Sequence, residues 1–316
     1  MTKRKKITVL IISAVALLSA VILPFFFLLP EKYPTDGITI KDTLPDGGGK
    51  EATVIILGGQ SNASGASLDE YLQKNVTPEK YGEYERGFDN VYINYVSGPK
   101  TSDEFVKCGV CQGELDGGFG PELGIADELN ELYPDRTFFI IKCAFGGSNL
   151  YDQWLSPRSF GKTGSLYKSF ASFVNASLEY LESKNYNVKI EAMCWMQGES
   201  DALSVDNAED YAKHLKNLIK DVREEFCDYA SDDGIAFVDA YIAANPVYWV
   251  HYALVNEAKR TVAELSDMNT VIDTVALGLT CSEEPPENPD LAHYDSLSEL
   301  KLGATFAEEA IKFFDR

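Results

Sequence analysis

Histidine is scarce in this sequence, and basic residues are outnumbered by acidic ones. The 316 residues include three His, and 28 Lys and Arg stand against 49 Asp and Glu, which gives a net charge of −21. So few histidines leave little scope for a His-rich metal site, and we expect neither a metal nor another cofactor. A chain this acidic is a poor partner for nucleic acid or anionic lipid, because binding phosphates needs clustered cations. A hydrophobic content of 45% excludes a wholly disordered chain.

A paired metal-binding motif is also absent. The six cysteines include one Cys-x-x-Cys, formed by Cys108 and Cys111, with neither a second such motif nor a histidine close by in the sequence. This spacing argues against a zinc site. We expect a local disulfide between these two cysteines. The alternative, a dithiol redox motif, lacks the usual position between a strand and a helix.

Charge is missing from residues 7–29, a mostly apolar run that directly follows Lys3, Arg4, Lys5 and Lys6. Its length suffices to span a bilayer, and the basic cluster should stay in the cytoplasm. We therefore predict that residues 1–30 form a single-pass membrane anchor, with the rest of the chain outside the cell. A cleaved signal peptide, giving a secreted protein, is the alternative. Residues 31–50 are rich in Pro, Gly and charge and are expected to form a linker.

Strand-like and helix-like patterns alternate through the remaining residues 51–316. Short apolar runs predict strands at 52–57, 91–95, 137–143, 190–195, 235–238 and 271–277. Helical spacing predicts helices at 121–132, 166–181, 208–226, 248–265 and 298–314. This alternation indicates one α/β domain with a parallel sheet covered by helices on both faces. In such a sheet, functional residues collect where the strands end.

Residues suited to nucleophilic catalysis occur at two such places. Ser61 follows the first predicted strand in a Gly-rich turn, where its hydroxyl can be exposed and its own N–H can face an oxyanion. Asp290 precedes His293 by three residues on a short loop. A carboxylate at that offset can bond Nδ1–H and leave Nε2 as a general base.

Two further polar clusters follow other predicted strands. Gly146 and Gly147 come after the third strand, where backbone without side chains can approach a ligand closely. The fourth strand is followed by Gln197, which can donate an amide N–H, and by two candidate acids, Glu199 and Asp201.

Five sequence blocks together carry a resemblance to a known family. They are GGQSNASG (58–65), FGPELGIADEL (119–129), IIKCAFGGSNL (140–150), CWMQGESDA (194–202) and the DLAHYD…LG pattern (290–303). In this order they resemble the sialate O-acetylesterase and carbohydrate esterase family 6 branch of the SGNH hydrolases. The resemblance implies a three-layer α/β/α, flavodoxin-like fold and metal-free ester hydrolysis.

The resemblance also implies roles for individual residues. Ser61 would be the nucleophile and His293 the base. The oxyanion hole would combine the N–H of Ser61, the N–H of Gly147 (or Gly146) and the side chain of Gln197. For the third member of the triad we favour Asp290, because the short loop enforces its contact with His293. The alternative acid is Glu199, which would otherwise order Gln197 or the nucleophile loop.

The expected substrate is an O-acetylated carbohydrate. Net negative charge favours a neutral polymer such as acetylated xylan or mannan, although sialic acid stays open. Candidate residues for the substrate rim are Gln60, Asn62, Tyr151 and Trp154, whereas Trp249 fits a helical core pattern. Two alternatives are an esterase acting on cell-wall or capsule acetyl groups and a catalytically silent glycan-binding domain on the same scaffold.

Overall fold

The computed structural model describes residues 33, 35, 37–159 and 161–314. The predicted membrane anchor, residues 1–30, lies outside this range. Among the described helices, none is both long and apolar enough to cross a membrane.

A central sheet of eight strands organises the described residues. Six of its strands are mutually parallel: β1 (Glu51–Gly59), β3 (Val91–Ser97), β7 (Phe138–Ala144), β8 (Asn187–Met196), β9 (Ala236–Ala240) and β10 (Asn269–Ile272). Two short strands, β4 (Lys100–Thr101) and β5 (Val106–Lys107), pair antiparallel with β3. A separate two-stranded sheet joins β2 (Ser67–Leu68) to β6 (Gly118–Phe119).

The strand order is β10-β9-β8-β1-β7-β3-β4. Leaving aside the β3 edge, the order β7-β1-β8-β9-β10 is the 2-1-3-4-5 order of flavodoxin-like sheets. In sheets of this order the connections on the two sides of β1 run in opposite directions, which opens a crevice at the carboxyl ends of β1 and β8. Ligands of open α/β sheets bind in that crevice, so the topology places a candidate site there.

Eight α-helices are described. They are α1 (Ser61–Ser64), α2 (Asp69–Asn75), α3 (Pro78–Arg86), α4 (Glu122–Leu132), α5 (Ser165–Ser183), α6 (Val205–Glu225), α7 (Tyr252–Ala263) and α8 (Ser296–Ile311). Helix α4 packs against α8, and α6 packs against α7. Every residue of β7 is buried, so the sheet is covered on both faces. The predicted α/β architecture with a mostly parallel central sheet is therefore confirmed.

Two predicted elements are shorter in the structure. The last strand ends at Ile272, and the Asp273 side chain then accepts the N–H of Ala276 at 2.9 Å, which makes a turn of residues 273–277. Helix α7 begins at Tyr252 rather than at residue 248. Asn245 caps a separate turn at residues 246–249, and the N–H of His251 then donates to Ala202 O at 2.8 Å instead of continuing that turn. Helices α2 and α3 were not predicted, although Thr77 caps α3 ahead of Pro78.

The segment expected to be a linker runs along the domain from residue 41 onward. The N–H of Lys41 donates to Asp103 O at 2.8 Å, that of Leu44 to the Tyr180 hydroxyl at 3.1 Å, and that of Gly47 to Lys184 O at 2.7 Å. One compact unit accordingly begins at residue 35.

The expected local disulfide is not formed, and both of its cysteines are free thiols. Cys108 is fully buried and its thiol donates to Glu122 O at 3.4 Å, while the exposed Cys111 thiol donates to an Asp69 carboxylate oxygen at 3.3 Å. The disulfide prediction was wrong because the two side chains belong to different environments.

A buried ion pair joins the sheet to a helix just behind the crevice. Lys259 Nζ of α7 lies 2.5 Å from Asp239 Oδ1 of β9, and their side chains are 0% and 4% exposed. The ammonium also lies 5.5 Å from the centre of the Tyr211 ring. Each charge therefore depends on the other for compensation, since neither reaches water.

Substituting Asp239→Ala should destabilise the protein by about 3–5 kcal/mol, because an uncompensated ammonium stays buried. The measurement is urea unfolding followed by circular dichroism. Arg260→Ala provides the control: this neighbouring cation of α7 pairs with Glu257 and Glu264 on the exposed surface, and its loss should cost far less. Equal losses for the two variants would contradict the assignment of a stability role to the buried pair.

Candidate active site

The carboxyl end of β1 turns sharply to present Ser61. Gly59 has φ +146°, and a Cβ there would lie 2.0 Å from Met196 O of β8, so only glycine fits this close approach. Ser61 is half-buried and is the first residue of the one-turn helix α1, whose last bond runs from Gly65 N–H to Ser61 O at 3.0 Å. The N–H of Ser61 is one of the donors that a helix start leaves without an intrahelical partner.

The paired glycines after β7 are not equivalent. The N–H of Gly146 donates to Glu114 Oε2 at 2.9 Å, and the same carboxylate oxygen accepts the Ser64 hydroxyl at 2.6 Å. Gly147 has φ +65° and is exposed, and its N–H bonds no other described residue. Of the two glycines, Gly147 is thus the one with an N–H available to an oxyanion.

The loop before α8 fixes one nitrogen of His293. His293 Nδ1 lies 2.6 Å from Asp290 Oδ2, and Asp290 Oδ1 accepts the N–H of Ala292 at 3.0 Å. Partial burial works against ionisation of Asp290, but the bonds from His293 and Ala292 outweigh it and lower the pKa of the carboxyl group. An ionised Asp290 favours the tautomer with the proton on Nδ1, which leaves Nε2 as an acceptor.

These loops meet around a cavity of about 490 Å³ at the carboxyl edge of the sheet. Its lining includes Gln60, Ser61, Glu114, Gly147, Trp249 and His293. Asp290 does not line this cavity but lines the adjoining one, which His293 also lines. The structure thus brings the predicted nucleophile, base and glycine N–H to one space, with the predicted acid directly behind the base.

Gln197, predicted as an oxyanion donor, does not reach the cavity. Its side chain is fully buried, and Nε2 lies 2.7 Å from Asp201 Oδ2, 3.1 Å from Ser148 O and 3.2 Å from Gln60 Oε1. Its Oε1 accepts the Tyr211 hydroxyl at 3.0 Å. The amide is committed to these partners, so in this structure it ties the loops together rather than pointing at a reacting oxygen.

Glu199 is linked through Asn62 to the loop that carries His293, called the base loop below. Its Oε1 accepts Asn62 Nδ2 at 2.8 Å, and Asn62 Oδ1 accepts the N–H of Tyr294, the residue after His293, at 3.1 Å. Burial raises the pKa of Glu199, against the lowering effect of Asn62. Glu199 Oε2 is buried without a partner among the described residues. Asn62, predicted at the substrate rim, is instead 1% exposed and bridges two loops.

Trp154 and Tyr151, the two aromatic residues predicted to form the substrate rim, do not line the cavity. Trp154 is fully buried, with its indole N–H bonded to Ser148 Oγ at 2.8 Å and its ring against Trp195. Tyr151 is exposed but packs against His214, away from the cavity lining. Trp249, which the sequence pattern assigned to a core helix, lies in the turn before α7 and lines the cavity. Of the predicted rim residues, Gln60 alone lines it.

Glu114 is a charged cavity residue that sequence reasoning missed. It lies in an irregular Gly-rich loop far from any predicted strand, and its N–H bonds Ser64 O at 2.9 Å. No local pattern marks it, because its proximity to Ser64 and Gly146 arises only on folding. Within the described residues there is also no group of three or more His, Cys, Asp or Glu suited to hold a metal.

The strand order and the position of this cavity are those of a flavodoxin-like α/β fold with a ligand crevice at the carboxyl ends of its strands. The family model described as carbohydrate esterase, sialic acid-specific acetylesterase matches residues 51–312, and the chain belongs to this family. Residues lining the cavity and the adjoining loops all fall inside the matched region.

Plant and bacterial proteins are similar to this chain in sequence or in structure. A probable carbohydrate esterase of Arabidopsis thaliana is 23% identical over 199 residues, which are 62% of this chain and 65% of that relative. The X-ray structure of this same A. thaliana protein has a TM-score of 0.60 at 18% identity, covering 86% of this chain and 100% of the other. The crystal structure of NanS has a TM-score of 0.59 at 17% identity and covers 86% of this chain and 99% of NanS. The crystal structure of a carbohydrate acetylesterase from Xanthomonas citri has a TM-score of 0.57 at 15% identity and covers 83% of this chain and 56% of the other. At these identities the structural likenesses show the fold.

Proposed function

We propose that the protein is a serine esterase that removes O-acetyl groups from carbohydrate, with Ser61 as nucleophile, His293 as base and Asp290 as the acid behind it. The observation that supports this most strongly is one cavity lined by both Ser61 and His293, with His293 Nδ1 held 2.6 Å from Asp290. Membership of a carbohydrate esterase family supports a sugar ester as substrate.

In the first half-reaction, Nε2 of His293 accepts the hydroxyl proton as Ser61 Oγ attacks the acetyl carbonyl carbon. The carbonyl oxygen becomes an oxyanion, and the N–H groups of Ser61 and Gly147 are the donors proposed to stabilise it. The tetrahedral intermediate then breaks its bond to the sugar oxygen, which leaves as an alcohol with the proton from His293. Ser61 is left as an acetyl ester.

In the second half-reaction, His293 removes a proton from water, which attacks the acetyl carbon of the ester. The same N–H groups stabilise the second oxyanion, and Ser61 leaves with the proton returned from His293, releasing acetate. Asp290 stays ionised throughout and stabilises the imidazolium that forms in each half-reaction. Gln197 contributes by holding the loops after β1, β7 and β8 in register.

The proposed location is outside the cell. It rests on the basic and apolar pattern of residues 3–29 alone, and the proposed anchor would be the protein's sole membrane contact. An outward-facing esterase would meet acetylated polysaccharides, whether from the surroundings or from the wall or capsule of the same cell.

A covalent probe tests the chemistry directly. The full-length protein would be treated with a fluorophosphonate, which should add to Ser61 within the tryptic peptide 51–74 and abolish acetate release from acetylated xylan, acetylated mannan and an O-acetylated sialoside. Peptide 190–213, which contains Ser200 of the same cavity, is the internal control and should stay unmodified. Undiminished acetate release from fully labelled protein, or no release from any substrate by folded protein, would contradict the proposal.

A further inference from the structure

A second cavity adjoins the catalytic one at the base. This tyrosine groove has a volume of about 440 Å³, and its lining includes Leu68, Tyr71, Leu115, Tyr248, Asn288 and His293. Ala66, Leu115 and His293 line both cavities, so the two spaces adjoin at the base. Both volumes lie in the range typical of small-molecule sites. A ligand filling the catalytic cavity can therefore extend past His293 into the groove.

Aromatic side chains form a wall along both spaces. Tyr248 is 42% exposed in the groove, and its ring lies 6.0 Å from that of Trp249, which lines the catalytic cavity. Tyr71 of α2 contributes a second, half-buried ring. Tyrosine offers a flat apolar face together with a hydroxyl, which suits a sugar ring that has apolar C–H faces and polar edges. The Asn288 side chain is exposed beside these rings and can bond sugar hydroxyls.

The charge of the lining indicates which sugars fit. Among the described residues, neither cavity has a lysine or arginine in its lining, whereas Glu114 lines one, and Asp290 and Glu284 line the other. Two cations lie close to these linings without belonging to them. Lys74 Nζ lies over the Tyr71 ring at 4.8 Å and pairs with Glu70 at 3.5 Å. Lys100 Nζ donates to Leu115 O at 2.6 Å and pairs with Asp116 at 2.9 Å. A sugar carboxylate would meet fixed negative charge here without a cation in the lining to compensate it.

We propose that the tyrosine groove is a subsite for a neutral sugar residue adjacent to the acetylated one, which makes the substrate a neutral acetylated oligosaccharide or polysaccharide. This inference rests on the proposed esterase function. The acetylated sugar occupies the catalytic cavity, and its neighbour in the glycan lies against Tyr71 and Tyr248. A small aryl acetate has no neighbouring sugar to occupy the groove.

The test compares a long and a short substrate in the full-length protein carrying Tyr71→Ala and Tyr248→Ala together. KM for an acetylated xylotriose should rise at least about tenfold, the equivalent of about 1.4 kcal/mol, while kcat/KM for p-nitrophenyl acetate stays within about twofold. Tyr71→Phe with Tyr248→Phe should restore most of the affinity, because the ring faces are kept. Tyr151→Ala, an exposed tyrosine outside both cavities, should leave both substrates unaffected.

Binding of unacetylated xylotriose to the Ser61→Ala protein, measured by calorimetry, separates the subsite from the chemistry. The affinity should fall about tenfold or more when the two tyrosines are also removed, even if no ester is hydrolysed at all. An unchanged affinity would overturn the subsite. An equal loss of kcat/KM for xylotriose acetate and for p-nitrophenyl acetate would also overturn the subsite, since the tyrosines would then act through His293. A preference for O-acetylated sialoside over the xylotriose ester would overturn the neutral specificity.

Discussion

Ser61→Ala should lower kcat for ester hydrolysis on the order of 10⁴- to 10⁶-fold, because removal of a catalytic serine leaves only oxyanion stabilisation and binding. The fold should persist. The Ser61 hydroxyl bonds no other described residue, and the contact that closes helix α1 uses the backbone oxygen of Ser61 instead. The measurement is acetate release from acetylated xylan and from an aryl acetate, together with the thermal unfolding midpoint.

Ser200→Ala is the matched control for this substitution. Ser200 lines the same cavity but follows β8, and its contact with Gln60 Oε1 uses the backbone N–H. Its replacement should lower kcat by less than about tenfold, as expected for a side chain outside the reacting atoms. If the two alanine variants lost equal activity, or if Ser61→Ala kept more than a hundredth of kcat, Ser61 would not be the nucleophile.

The sheet could be predicted from sequence because its strands are buried on both faces. Runs such as residues 137–143 are almost continuously apolar, and the structure places β7 at Phe138–Ala144 with every residue buried. The strand predicted at 271–277 failed beyond Ile272, since apolar residues there occupy a turn closed by Asp273. Apolar character alone does not distinguish a strand from a turn at a sheet edge.

The candidate site likewise combines contacts between residues close in the sequence, which can be predicted, with contacts that form only in the tertiary fold, which cannot. Asp290 and His293 lie three residues apart on one loop, so their contact is a local property and was predicted. The positions of Trp154 and Trp249 depend on the tertiary fold. Both are apolar and lie near candidate loops in the sequence, but packing places Trp154 in the core and Trp249 at the cavity. Gln197 depends likewise on acceptors from three separate loops.

Asp290→Asn should lower kcat about 10⁴-fold, the size of loss found when the acid of a serine triad becomes an amide that favours the wrong imidazole tautomer. Its Oδ2 contacts His293 Nδ1 directly, and the N–H of Asn would be presented to that nitrogen instead. Glu199→Gln is the matched substitution at the rival acid. It retains an oxygen to accept Asn62 Nδ2, so the bridge to Tyr294 N–H should survive and kcat should fall less than about tenfold.

The two amide variants, assayed together for kcat and KM on an aryl acetate, decide which carboxylate supports the base. A large kcat loss for Asp290→Asn with a small one for Glu199→Gln would assign the role to Asp290, and the reverse pattern would assign it to Glu199. Asn62→Ala sharpens the comparison, because it cuts the bridge between Glu199 and the base loop without touching Asp290. If Glu199 acts only by positioning that loop, Asn62→Ala should lower kcat by up to about 10²-fold, more than Glu199→Gln does, since misplacing a catalytic group by about 1 Å costs that much.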